Sequence, residues 1–183
     1  MSSTMKAAIV NKPGDLKIEE VNIPEINDDE VLVKVKYTGI CGTDWNIFTG
    51  KYSADKLPLI PGHEFSGVIV DMGKNVRKLK IGDGVTADIN NSCGNCFYCK
   101  TGNKLMCKEF FQLGIHINGS YAEYVKTHWE RIYKLPENIS FEQGAFIEPL
   151  SCVIHSAKAM NVELGSSVTI IGTGLGILHA AIA

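Results

Sequence analysis

Apolar and polar residues alternate in short stretches over the first three quarters of the chain. Ala7 to Val10 is a brief apolar run, Pro13-Gly14-Asp15 has turn chemistry, and Leu16 to Val21 alternates. From Glu30 to Tyr37 the alternation is clear and puts Val31, Val33, Val35 and Tyr37 on one face of a strand. Phe65 to Val70 is a further Val/Ile-rich strand, followed by a turn at Met72-Gly73-Lys74-Asn75. Ile81-Gly82-Asp83-Gly84-Val85 turns into another strand, and Tyr121 to Val125 and Arg131 to Leu135 are two more. With Gly and Pro punctuating it throughout, the pattern over residues 1 to about 138 predicts a mainly β domain, a partly closed barrel.

The pattern then changes. Ser140-Phe141-Glu142-Gln143 has the Ser-x-x-Gln form of a helix start, and Pro149 suits the first turn of a helix running through Ser151, His155 and Ala159. In that helix Cys152 is expected to be a buried thiol and His155 a packing or capping residue. Ser167-Val168-Thr169-Ile170-Ile171 is a continuous apolar run of the kind buried on both faces of a parallel sheet. Gly172, Gly174 and Gly176 follow, then an apolar, Ala-rich stretch. Strand, glycine turn and helix in that order open an α/β unit of the Rossmann type, which binds dinucleotides.

Composition narrows the function classes. The chain has 183 residues, 45% hydrophobic and 21% charged, with a net charge of −2. Near-balanced charge argues against a nucleic-acid binder. No apolar run approaches a membrane span, and Met1 to Lys6 lacks the apolar core of a signal peptide, so a cytoplasmic protein is expected.

The six cysteines change the picture further, because four crowd into one short loop. Cys93-x₂-Cys96-x₂-Cys99-x₇-Cys107 lies among Gly, Asn and Lys residues with little apolar material to pack. A tetrahedral zinc on four thiolates holds such a loop, its binding free energy becoming folding free energy. Lys100, Lys104 and Lys108 would offset the charge of that centre. Iron–sulfur ligation is the rival, but there the fourth cysteine follows after three residues and precedes Pro.

A second, open metal site is suggested by more scattered residues. Cys41 sits between Ile40 and Gly42 just after a strand, and His63-Glu64 opens the next. Glu148 is a carboxylate in an apolar segment. A cysteine, a histidine and a carboxylate with one open position make a catalytic zinc set. Each signal is weak alone.

Gly62-His63-Glu64-x-x-Gly67-x₅-Gly73-x₂-Val76 resembles the zinc signature of the medium-chain dehydrogenase/reductase family, the zinc-containing alcohol dehydrogenases. Gly39-Ile40-Cys41-Gly42-Thr43-Asp44, the four-cysteine loop, Gly82-Asp83-x-Val85 and Gly119-x-Tyr121-Ala122-Glu123-Tyr124 occur in that family's order. The resemblance implies a GroES-like catalytic domain over 1–150 with a zinc lobe at 90–110, and the beginning of a Rossmann nucleotide-binding domain over 151–183. It implies two zinc ions per chain, a catalytic one on Cys41, His63 and either Glu64 or Glu148, and a structural one on Cys93, Cys96, Cys99 and Cys107. Adjacent strand residues point to opposite faces, so spacing does not choose between the two glutamates. Glu148-Pro149-Leu150-Ser151 resembles the polyol and threonine dehydrogenase branch.

The implied reaction is zinc-assisted hydride transfer from an alcohol or polyol to NAD or NADP. Thr43 matches the hydroxyl that takes the alcohol proton, and Asp44 is a supporting or turn-capping residue. Trp45, Phe48 and Phe111 are candidates for the substrate wall or for core. A homo-oligomer is also implied.

Three features depart from the family. Asn46 stands where many relatives carry a relay histidine, and an amide carries no proton at neutral pH. The glycine turn is one residue short of Gly-x-Gly-x-x-Gly, with Ile177 in the third place, which turns the following helix by about 100°. Relatives are about twice as long, so the chain is expected to be a piece that is inactive alone. A zinc-binding module without turnover is the alternative.

Overall fold

The structure, a computed structural model, describes residues 3–160 and 165–182. Strands β1 (Thr4–Lys12) and β2 (Asp15–Asn22) form an antiparallel hairpin around Gly14, which has φ +78°. Strand β3 (Glu30–Thr38) leads to helix α1 (Gly42–Phe48), and β4 (Phe65–Met72) and β5 (Gly84–Ala87) follow. The cysteine lobe comes next, with β6 (Asn90–Asn91), α2 (Phe97–Lys100) and β7 (Phe111–Gln112). Strands β8 (Tyr124–His128) and β9 (Ile132–Lys134) complete the β part, and helices α3 (Phe141–Ala145), α4 (Ile147–Met160) and α5 (Gly174–Ile182) end it.

The main sheet has five strands in the order β8-β3-β4-β5-β9, all paired antiparallel. Its two edges, β8 and β9, are joined by only the 3-10 turn Trp129–Arg131. A flat sheet would hold those edges about 19 Å apart, and the connection from His128 to Ile132 reaches at most about 14 Å. The sheet is therefore strongly curled. No ladder joins β8 to β9 or the hairpin to the main sheet, so the expected barrel closure is absent among the described residues. The hairpin is held instead by single bridges, Ala7 to Ala122 and Val10 to Leu59. β5 and β9 are too short to carry a continuous closing ladder.

The core lies inside the curl. Val31, Val33, Phe65, Ile69, Val85 and Val125 are its sheet residues, and Ile47 of α1 caps it. Register shifts interrupt β3 between Leu32 and Val33 and between Val35 and Tyr37. An extra residue re-aims those after it, and Tyr37, predicted on the buried face, is 47% exposed. The strand predicted from Tyr121 begins at Tyr124.

The helical predictions divide. Ser140 and Gln143 form the anticipated reciprocal cap of α3, with Gln143 N donating to Ser140 Oγ at 3.2 Å and Ser140 N to Gln143 Oε1 at 3.0 Å. Ser66 Oγ donates to the Phe141 carbonyl and ties α3 to β4. In α4 only Pro149 and Val153 are buried, and Cys152, expected to be buried, is exposed. His155 is exposed too. The predicted strand Ser167–Ile171 does not form: residues 166–172 have no regular structure, and Ile171 is 96% exposed. A parallel strand needs flanking strands for its backbone groups, and none among the described residues lies beside it. Helix α5 does form, after a bend at Thr173 and with Gly172 at φ +118°.

Candidate metal centres

The first centre follows from strand pairing. Thr38, the last residue of β3, pairs with Phe65, the first of β4. The segment leaving β3 and the segment entering β4 must therefore run side by side, and Gly39 N donates to the Glu64 carbonyl at 2.6 Å to extend the ladder. Cys41 and His63 are brought together by that register alone. A Cβ added at Gly39 would strike the Glu64 carboxylate, so the glycine is what lets Glu64 fold back here.

Cys41 is the N-cap of α1. Its sulfur accepts from Thr43 N at 3.5 Å, and the Asp44 carboxylate accepts from Cys41 N at 2.8 Å. This is a capping box with a thiol in the place of a hydroxyl. The sequence reading places no helix here, and cysteine is not among the usual caps.

Ligand atoms of Cys41, His63 and Glu64 all lie within 4.8 Å of one another. His63 is 4% exposed, and its Nδ1 is buried without a hydrogen-bond partner, 3.5 Å from Asp44 Oδ1. Burial pulls the His63 pKa down, but the contacts with Asp44 and Cys41 outweigh it and raise the pKa to about 10. The imidazolium in turn lowers the Cys41 thiol. Asp44 is lowered as well: burial opposes its charge, and His63, the Cys41 amide and Tyr121 more than offset that. Burial raises Glu64. A thiol and two carboxylates around one imidazole form a site with an excess of negative donors, and the group that fits it is a cation. Soft sulfur, imidazole nitrogen and one carboxylate match zinc, and a carboxylate behind a ligating histidine is the recurrent support of such sites.

Glu148 enters from the first turn of α4. Burial raises its pKa, and it feels the charges of His63 and Glu64. It faces the centre without joining the group that Glu64 completes. Cys152, one turn along, donates to Glu148 Oε1 at 3.9 Å. That contact, and Tyr121 behind Asp44, escaped the sequence reading. Tyr121 and Asp44 lie far apart in sequence, so spacing could not mark their contact, whereas Glu148 and Cys152 stand four residues apart on α4.

The second centre is the lobe. Its four sulfurs lie within 4.8 Å of one another, with Cys93–Cys99 at 4.0 Å, Cys96–Cys99 at 3.5 Å and Cys93–Cys107 at 3.5 Å. Four thiolates at the usual zinc–sulfur bond length are about 3.8 Å apart. The backbone amides of Cys93, Cys96 and Glu109 donate to the sulfurs of Cys107, Cys93 and Cys107, at 3.3, 3.4 and 3.4 Å. Amides aimed at sulfur favour thiolate, and Cys96, with a backbone hydrogen bond at Cys99 as the largest influence, is lowered to about 6. The predicted set of four is brought together in full.

Trp45, 61% exposed, stacks obliquely on Phe48 with ring centroids 5.5 Å apart, so neither is core. Phe111 lines a cavity of about 860 Å³ that also touches Cys93 and Lys104 and excludes Cys41, His63 and Glu64. That cavity is not the Cys41–His63–Glu64 centre. No helix among the described residues is long and apolar enough to cross a membrane.

Residues 27–137 match the family described as the alcohol dehydrogenase GroES-like domain. The chain belongs to that family. It is 39% identical over 174 residues to D-arabinitol dehydrogenase 1 of Uromyces fabae, covering 95% of this chain and 49% of that one. It is 41% identical to an L-threonine 3-dehydrogenase of Protochlamydia amoebophila, covering 95% and 52%. Its fold superposes with a TM-score of 0.93 and 37% identity on a zinc-binding dehydrogenase of Sinorhizobium meliloti 1021 bound to NADP, covering 99% and 53%. The chain spans about half the length of the curated relatives it matches. It is homologous to the N-terminal half of zinc-dependent polyol and threonine dehydrogenases, as a mainly β GroES-like domain with a four-cysteine cluster.

Proposed function

We propose that this chain is the metal-bearing half of a zinc-dependent dehydrogenase that oxidises a secondary alcohol, a polyol first of all, with NAD or NADP as hydride acceptor. The observation that carries the reading is the meeting of Cys41, His63 and Glu64 around a buried, unpartnered ring nitrogen. The D-arabinitol and L-threonine dehydrogenase relatives support the substrate class, an alcohol carbon flanked by further polar groups.

In this reading Cys41, His63 and Glu64 hold the catalytic zinc, and Cys93, Cys96, Cys99 and Cys107 the structural one. When bound, the catalytic zinc supplies Lewis acidity toward an alcohol oxygen. Asp44 orients His63 and anchors the α1 start that presents Cys41. Glu148 forms the polar wall on the α4 side. Thr43, half-buried on the first turn of α1, receives the alcohol proton. Asn46 cannot pass that proton on, so solvent takes it from Thr43. Gly172, Gly174 and Gly176 form the phosphate turn for the dinucleotide at the start of α5. Residues 1–150 make the catalytic domain, with α4 running across into a nucleotide-binding segment from 151. A cytoplasmic location and a homo-oligomeric state belong to the same reading through the family resemblance.

A second reading, a zinc-binding module without turnover, draws on the shortened glycine turn and the exposed segment 166–172. Supplying the purified chain with D-arabinitol, sorbitol or L-threonine and either NAD or NADP separates the two. Alcohol-dependent reduction of the cofactor that disappears in Cys41→Ser supports the dehydrogenase. Two bound metals with no binding of alcohol or cofactor support the module, whereas alcohol binding at the Cys41 centre without reduction of cofactor is the result expected of a dehydrogenase half.

A further inference from the structure

The geometry points to Tyr121 as a positioning residue that locks the two ligand-bearing segments of the catalytic metal centre to each other. The inference rests on the reading that Cys41 and His63 bind a metal. Its basis is that one side chain reaches both segments in two different ways.

The hydroxyl of Tyr121 donates to Asp44 Oδ2 at 2.8 Å and shares its hydrogen with the Gly39 carbonyl at 3.1 Å. Both acceptors belong to the segment that carries Cys41. The same Asp44 oxygen accepts from Cys41 N, while Oδ1 accepts from Gly62 N at 3.2 Å and faces His63. The ring of Tyr121 lies on the other segment. Gly62 has φ +90°, and a Cβ there would run into the Tyr121 ring and, at 2.8 Å, into Ser120 Oγ. The ring thus packs on the residue before His63, where only glycine admits it.

The backbone around Tyr121 is itself fixed. Tyr121 N donates to the Pro61 carbonyl at 3.0 Å, Ser120 N to the Gly62 carbonyl at 2.9 Å, and Ala8 N to the Tyr121 carbonyl at 2.7 Å. The arm 119–121 is therefore laced to β1 on one side and to the His63 segment on the other. The phenol holds Asp44 from there, and Asp44 holds both Cys41 and His63. Without the hydroxyl, the carboxylate keeps its two amide donors but loses the one side-chain donor that fixes its rotation, and with it the angle at which it meets the imidazole. Supporting groups of this kind change metal affinity about 10- to 100-fold. No proton transfer by Tyr121 is involved.

The lobe supplies an internal control, because none of its four cysteines contacts this network. Zn²⁺ alone is titrated into the metal-free chain against a chromophoric chelator, and the weaker class is assigned by its loss in Cys41→Ser. Tyr121→Phe keeps the ring on Gly62 and removes the hydroxyl. It is expected to weaken zinc at the Cys41 centre 10- to 100-fold and leave the four-cysteine class unchanged. Tyr121→Leu, which also removes the ring, is expected to weaken it further with the lobe still loaded. Unchanged binding in Tyr121→Phe, or equal weakening of both classes, overturns the inference. A wild-type chain with only the four-cysteine class overturns the metal reading beneath it, a result distinct from either.

Discussion

Asp44 is the residue on which the Cys41–His63–Glu64 centre turns. It is 6% exposed, yet it keeps its charge because Cys41 N, Gly62 N, the Tyr121 hydroxyl and the His63 ring all meet it. A buried carboxylate with fewer partners would take up a proton instead. The consequence for His63 is a pKa near 10 in the metal-free protein. At neutral pH the imidazole is then protonated, and zinc must displace that proton before it binds. Zinc affinity at this centre therefore falls as pH falls, by at least about tenfold per unit between pH 10 and neutrality. Zinc titrations at several pH values, with proton release followed in weak buffer, are expected to show at least one proton, that of His63, leaving per zinc bound at the Cys41 centre at neutral pH. A pH-independent constant would contradict the electrostatics.

At the scale of elements, the lobe and the curled sheet are held by different forces. The sheet curls over Val31, Val33, Phe65 and Ile69, and its stability is apolar. Across residues 93–107 of the lobe Phe97, Leu105 and Met106 are exposed and only Cys99 and Cys107 are buried, so little besides the sulfur cluster fixes this stretch. Chelating the zinc is expected to open residues 93–107 while the five-stranded sheet persists. Hydrogen exchange checks this: the lobe amides should lose protection, and those of β3 and β4 should keep theirs. Simultaneous loss from both would contradict it.

The elements also separate what sequence can convey from what it cannot. The β1, β2, β3 and β4 strands and the Ser140 cap are local, set by alternation and by a three-residue reciprocity, and each was legible. Helix α1 was missed because its cap is a sulfur. Tyr37 left its predicted face because a bulge between Val35 and Tyr37 is a property of the pairing with β4. The Ser167–Ile171 run has the composition of a buried strand, but a strand exists only with neighbours, and burial is not encoded in the segment itself.

For the whole molecule, the two cysteine patterns differ in the same way. Cys93, Cys96, Cys99 and Cys107 are close in sequence and had to be close in space. Cys41 and His63 meet because Thr38 pairs with Phe65, and Tyr121 reaches them only after the chain has gone through the lobe. Spacing offered only weak signals for Cys41 and His63, the family resemblance pointed to them as ligands, and neither chose the carboxylate. In the folded chain Glu64 falls within the 4.8 Å group, and Glu148 stands opposite it on α4. The edges of the main sheet, β8 and β9, carry no ladder to each other, and β9 is only three residues long, so the open sheet differs from the predicted partly closed barrel at its rim and not in its alternating strands.

The central claim is that this fold builds two metal centres of different design. Metal content per chain, on protein purified without chelator, tests it most directly. The account predicts two zinc ions, with Cys41→Ser retaining one. A single zinc in the wild-type chain, retained in Cys41→Ser, would mean that the Cys41–His63–Glu64 group does not hold a metal, and would contradict the account.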